Sequence, residues 1–344
     1  MKKKNEDYPI DILISWVDGN DPDWLAEKAK YSPKEVITDD RALRYRDWDN
    51  LQYLFRGIEK FAPWVNNVFF VTWGHLPKWL NTDAPKLRIV NNHDYIPSEY
   101  NPTFSSHTKE INFHRIKGLS EHFVYFNDDM FLLRQTRRED FFKNGKPCDC
   151  AILTAHSHNE AEPYMFFQYR ATGIMNKYFN NKEVIRKNRG GWYSLKYGKM
   201  LFRSWVLSGF PRFTGVWQQH LPFTLLKSTM EELWEKEYES FHQTCLNRFR
   251  SMSDYNIWVF RNWQLASGNF HPRGLRAGNN FNINNERSLK EVTDYIEKQK
   301  RKMICINDAE MSDEEFTKVK NALIQSFDKI LPEKSVYEIG MKVK

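Results

Sequence analysis

The stretch that decides the fold is IDILISWV, Ile10–Val17, followed at once by Asp18-Gly19-Asn20-Asp21-Pro22. A nearly continuous apolar, β-branched run of this length reads as a strand buried on both faces, and such strands belong to α/β sheets. Beyond it, Leu51, Leu54, Phe55, Ile58 and Phe61 recur at i, i+3, i+4, i+7, which predicts an amphipathic helix stopped near Pro63. Val68–Thr72, Leu87–Val90 and Phe123–Phe126 read as further strands. This alternation predicts a Rossmann-like α/β core with a largely helical C-terminal elaboration. Helical periodicity returns over Thr108–Leu119. Capping-box patterns at Ser228-x-x-Glu231, Ser288-x-x-Glu291 and Ser312-x-x-Glu315 predict three more helices, the last presenting Phe316, Val319, Leu323, Phe327 and Ile330 on one face. The expected division is a core of residues 8–180 together with 205–310, a basic aromatic segment 181–204, and a C-terminal helix and tail 311–344.

Composition narrows the class. The 344 residues are 41% hydrophobic and 28% charged, which argues against wholesale disorder. No apolar run reaches the roughly 18–20 residues of a spanning helix. The basic head MKKKNEDYPI has no apolar stretch behind it, so no secretory leader is expected. Four cysteines are too sparse for a disulfide framework, and a reducing compartment is expected.

Several groups of residues could carry chemistry. Asn127-Asp128-Asp129 follows a strand directly, where open α/β sheets bind ligands, and adjacent carboxylates there suit a hard divalent cation; an ordinary polar turn is the alternative. His107, Glu110 and His114 would share a helix face as metal, anion or proton ligands, or be histidines satisfied in the core. His220, beside Pro222, is expected in a loop, where a general base or a plain turn residue is equally at home. Arg248-Phe249-Arg250 offers forked donors suited to phosphate, or a surface cationic pair. Cys148, Cys150, His156 and His158 are four potential zinc ligands, but the one-residue gap between the cysteines is shorter than structural zinc sites use.

Taken in order, Asp11–Pro22, Arg44–Leu51 with Ala62-Pro63-Trp64, Pro102–His107 through Asn127-Asp128-Asp129, His220-Leu221-Pro222 with Arg248-Phe249-Arg250, and Cys305-Ile306-Asn307-Asp308 closely resemble the Stealth family of sugar-1-phosphate transferases, over about residues 10 to 310. The resemblance implies a GT-A-like, nucleotide-sugar-binding core. It also implies transfer of a hexose- or N-acetylhexosamine-1-phosphate from a UDP-sugar donor to a hydroxyl of an oligosaccharide, polysaccharide or lipid-linked glycan acceptor. The product is a phosphodiester and UMP leaves, as in bacterial capsule or exopolysaccharide synthesis and in the related animal enzyme that tags lysosomal glycoproteins. Carried over residue by residue, Glu110, Asp129, His220 and Arg250 are the implied catalytic acid, acid, base and phosphoryl clamp. Asp128, Asp129 and Asp308 are the implied ligands of Mg2+ or Mn2+. Trp16, Asp18, Gly19, Asp21, Arg44, Asp47, His107, Arg248 and Asn307 are the implied substrate contacts. Two departures stand out: Trp48-Asp49-Asn50 replaces an Asn-Glu-Glu-like run, and Phe223 replaces the second histidine of a His-Met-Pro-His block.

Two rivals remain at the level of sequence: a metal-dependent glycosyltransferase releasing UDP, and a non-enzymatic glycan-binding protein. Net charge is 51 − 44 = +7, but Lys182–Arg203 carries +6 of it, so the total is no argument for nucleic acid. That segment, with Trp192, Tyr193, Tyr197 and Phe202, is a solvated charged face or a landing site for an anionic glycan or lipid surface. A cytoplasmic enzyme, peripheral on the inner membrane face, is the expectation.

Overall fold

The computed structural model describes residues 8–32, 48–157, 164–307, 309 and 311–340; Arg44, Asp47, His158 and Asp308 lie outside them. The strands are β1 (Ile10–Ser15), β2 (Val68–Thr72), β3 (Leu87–Asn91), β4 (His122–Asn127), β5 (Met130–Leu132), β6 (Phe142–Lys143), β7 (Lys146–Asp149), β8 (Phe223–Leu226), β9 (His271–Pro272), β10 (Gly278–Asn282) and β11 (Met303–Asn307). The helices are α1 (Pro22–Tyr31), α2 (Leu51–Phe61), α3 (Asn92–Tyr95), α4 (Ser106–Ile111), α5 (Tyr164–Tyr178), α6 (Asn181–Lys187), α7 (Arg189–Trp192), α8 (Met200–Leu207), α9 (Lys227–Lys236), α10 (Tyr238–Leu246), α11 (Trp258–Ala266), α12 (Glu286–Glu297) and α13 (Asp313–Ile330).

The main sheet has the order β3-β2-β1-β4-β8. β1 runs parallel to both neighbours, with Ile14 opposite Phe70 on one side and Phe126 on the other, and β8 closes the edge antiparallel to β4. The apolar run read from Ile10 is therefore central, and Ile10 to Ile14 are almost wholly out of water. A second sheet, β10-β11-β5, starts immediately after the Asp128-Asp129 turn, with Cys305 opposite Met130. The fold is thus an α/β core in which the strand β4, the acidic turn and the second sheet meet at one place.

α13 lies where its apolar face predicts. Phe327 packs on Phe131 and Tyr53, and Ser312 and Glu315 form the reciprocal cap. Trp48 packs against Phe316 of this helix. Other helix expectations change. The Thr108–Leu119 helix ends at Ile111 and continues only as a single 3-10 turn at Phe113–Arg115, because the Asn112 side chain turns back to bond the Thr108 carbonyl. α9 begins before Ser228, whose hydroxyl bonds Glu121 instead of capping. α12 is capped by Asn285, with Ser288 at the third helical position.

Candidate functional site

The site grows from two chain segments that run side by side and are stitched together at five points. The Phe104 N–H donates to the Arg248 carbonyl (2.8 Å) and the Arg248 guanidinium donates to the Pro102 carbonyl (2.7 Å). Arg250 Nη2 donates to Ser106 Oγ (2.7 Å). His107 Nδ1 bonds Asp254 Oδ2 (3.0 Å), and the Ile257 N–H donates to Glu110 Oε2 (3.1 Å). This seam brings Glu110 and Arg250, some 140 residues apart in sequence, onto one wall. Asp254 is its hub: wholly buried, it also accepts from Asn247 Nδ2 (2.7 Å) and the Ser251 N–H (2.8 Å).

The opposite wall is the Asp128-Asp129 turn. The Asp129 carbonyl accepts the Ile306 N–H, which fastens the turn to β11, and ligand atoms of Asp129, His220 and Cys305 all lie within 4.8 Å of one another. His220 Nε2 stands 4.0 Å from Asp129 Oδ2, and both side chains keep about a quarter to a third of their surface in water, so a substrate can reach them. His220 adopts φ 48°, a left-handed conformation that non-glycine residues rarely take and that clusters at functional sites. Its loop is held from both sides. Gln219 donates to the carbonyls of Leu275 and Gly278, and Leu221 packs on Gly278, where any side chain would collide with the Met303 carbonyl at 2.6 Å. Phe223, a departure from the block the sequence resembles, is the first residue of β8 and is buried against Tyr125.

Burial lowers the His220 imidazole from its ordinary value, with the Glu110 carboxylate opposing, so the ring is neutral near pH 7 and able to accept a proton. Burial, then Arg250, pulls Lys109 down to about 8, while Glu110 and Asp128 oppose. Burial, reinforced by Asp129 and Asp128, pushes the Cys305 thiol well up. As a soft donor it suits a hard ion poorly, whereas the carboxylate oxygens of Asp128 and Asp129 are of the kind that hold a hard divalent cation.

The remaining sequence candidates sit in distinct surroundings. Asp18 and Asp21 flank His75: the Asp18 N–H donates to its Nε2 (2.7 Å), and Asp21 Oδ2 lies 3.7 Å from its Nδ1 while Oδ1 caps α1. Trp16 is buried between Phe70 and His75, and Gly19, three residues further on, is buried too. Arg248 also stacks over Tyr31. Asn307 donates to Asn282 Oδ1 at the end of β11. His114 is not part of the seam; it packs on Trp234, and burial pushes it down to about 3. The Cys148 and Cys150 thiols donate to the carbonyls of Glu139 and Arg273, and Asp149 between them pairs with the buried Arg261, so this cluster is structural among the described residues. Sequence reading passed over Asp254, Lys109 and Gln219. None carries a local signal, since each acts through a partner distant in sequence.

Known proteins resemble this chain over most of its length. Models of Stealth protein CR1, conserved region 1, and CR2, conserved region 2, match residues 8–36 and 44–149. The chain is 38% identical over 333 residues to the capsular polysaccharide phosphotransferase WcwK of Streptococcus pneumoniae, covering 96% of this chain and 98% of that one. It is 40% identical over 341 residues to the receptor polysaccharide phosphotransferase WefC of Streptococcus gordonii, covering 96% and 99%. Among solved structures, the galactosyltransferase LgtC aligns over 91% of this chain and 95% of its own at 10% identity and a TM-score of 0.38. The chain belongs to the Stealth family of phosphotransferases.

Proposed function

We propose that the protein transfers hexose- or N-acetylhexosamine-1-phosphate from a UDP-sugar to a hydroxyl of an acceptor glycan, releasing UMP, in bacterial capsule or exopolysaccharide synthesis. The observation that carries this reading is the left-handed His220, neutral and water-accessible, set 4.0 Å from Asp129 and within the field of the Glu110 carboxylate. In the reaction, the acceptor oxygen attacks the β-phosphorus and its proton passes to His220 Nε2. The bond from that phosphorus to the UMP oxygen breaks, and the anomeric carbon keeps its oxygen. Arg250, oriented by Ser106, and the buried Lys109 supply positive charge to the phosphoryl oxygens. Glu110, fixed by the Ile257 N–H and the Tyr125 hydroxyl, holds the imidazole's field. Mg2+ or Mn2+ held by Asp128 and Asp129, with Asp308, would neutralise pyrophosphate charge. Trp16, Asp18, Gly19 and Asp21 are the uridine and ribose side of the pocket.

The acceptor is met at the inner face of a membrane. Leu195, Phe202, Trp205, Val206 and Phe210 are exposed within sixteen residues, beside exposed Lys196, Lys199 and Arg212. An apolar patch rimmed by cations suits an anionic bilayer interface. Trp192 and Tyr197, which composition placed in this surface, are core residues instead, buried behind it. No helix among the described residues is long and apolar enough to cross a membrane. Incubation with a panel of UDP-sugars, with and without EDTA, tests the reading: metal-dependent UMP release supports it, and UDP release or full activity in EDTA refutes it.

A further inference from the structure

A cavity of about 570 Å³ opens at the Met303 end of β11, the end away from Asn307. Its size falls within the usual range for small-ligand pockets, about 300–1,000 Å³. Eight Lys and Arg side chains line it against two carboxylates, Glu139 and Asp140, and Asp140 is already held by Lys302 Nζ at 2.5 Å. Among the described residues, the other seven cations pair with no acid. Lys196 Nζ donates to the Pro272 carbonyl and Arg301 Nη1 to the Leu275 carbonyl, bonds that orient the charge without cancelling it. Arg273, also on the wall, lies against the Cys150 thiol, and its Nε and Nη1 are out of water. Eight cations against two acids leave the cavity strongly positive, and an oxyanion is the group that suits it.

The cavity is coupled to the reacting centre by one short segment. Its wall, Gly274–Ala277, leads into Gly278, and the Leu275 and Gly278 carbonyls are those that hold Gln219 next to His220. Met303 lines the cavity, and four residues further along β11 stands Asn307, about 13 Å away at strand spacing. A glycan extending from the acceptor position along this strand would bring its next groups to the cavity.

We infer that this cavity is an anion site for a phosphoryl group of the acceptor or product glycan, separate from the phosphoryl group being transferred. The assignment to the glycan rests on the proposed reaction; the anion site itself does not. Its test uses the full chain and the double variant Arg276→Glu/Lys300→Glu, both exposed on the cavity rim, alongside Arg273→Gln. Titration calorimetry with inorganic pyrophosphate, in EDTA, should show binding that survives in Asp129→Asn and weakens at least tenfold in the cavity variants. Pyrophosphate affinity unchanged by all of these cavity substitutions would overturn the site, whether or not the enzyme releases UMP. In turnover, kcat/KM for an acceptor bearing a phosphodiester should fall about tenfold in the double variant relative to the same acceptor without phosphate. An equal fall for both acceptors, or a cavity that takes pyrophosphate while this ratio stays at that of the unmodified chain, would overturn the glycan as its ligand.

Discussion

Asp254→Ala tests whether the seam between residues 102–110 and 247–257 builds the site. The Asp254 carboxylate is wholly buried and accepts three donors: Asn247 Nδ2, the Ser251 N–H and His107 Nδ1. Burial pulls His107 below its ordinary value even with Asp254 opposing, so the ring is neutral and donates one proton to the carboxylate. Alanine strands all three donors, each costing about 1–3 kcal/mol, or about 3–6 kcal/mol together after partial relaxation. That is a large share of the 5–15 kcal/mol typical of a folded domain. Asp254→Asn discriminates. Its remaining oxygen can serve Ser251 and His107, while the Asn247 amide flips to accept from the new NH2. Only charge assistance is lost, about 1–2 kcal/mol. Urea unfolding should therefore rank the variants Asp, Asn, Ala in steps of that size. Because Arg250 and Glu110 hang on the same seam, UMP release should fall more than tenfold in Asp254→Ala under conditions where it remains folded, since small misplacements of a clamp cost about a hundredfold. An alanine variant within about 1 kcal/mol of the parent, or one that is destabilised but turns over normally, would refute the reasoning.

His220→Asn keeps a residue that tolerates φ 48° but accepts no proton, so turnover should fall about 10²–10⁴-fold with the melting temperature held; a smaller loss would remove His220 as the base. Phe202→Ser/Trp205→Ser should weaken binding to anionic vesicles more than tenfold, measured by flotation, and equal flotation would dismiss the patch as a membrane contact. Burial pushes the Glu338 carboxyl up, but Arg56, at 2.8 Å from both oxygens, and the Ser335 N–H and hydroxyl together outweigh it and hold the group below its ordinary value. That stability is present above the unfolded carboxyl's pKa and is lost as pH falls through the folded one. Arg56→Met should thus cost about 3 kcal/mol at pH 7, the difference narrowing below about pH 4; a pH-independent difference would contradict the pairing.

Four of the main sheet's five strands were legible, and its central ones, Ile10–Ile14 and Phe123–Phe126, announce themselves without context because they are short, apolar and buried on both faces, whereas the antiparallel edge strand β8 was not read. Helix limits were less so. The Asn112 side chain that ends α4, and Glu121 that takes Ser228, are tertiary or side-chain competitors that periodicity does not register. The acidic turn, His220 and Arg250 could be read from ordered motifs. Asp254, Lys109 and Gln219 could not, because a buried hub, a desolvated lysine and a loop brace look like ordinary polar residues until the chain brings their partners to them. The basic segment was half legible: its charge is on the surface, but two of its aromatic rings are core, since the Tyr197 hydroxyl is spent on the Gly191 carbonyl and the Ala151 N–H.

The central claim is that phosphorus, and not only sugar, moves to the acceptor. A UDP-sugar radiolabelled at its β-phosphorus decides it when the label is followed after complete turnover. The account predicts label in the glycan, stable to phosphatase as a diester, with unlabelled UMP released. Label remaining in UDP, with the sugar joined through a glycosidic bond, would contradict it.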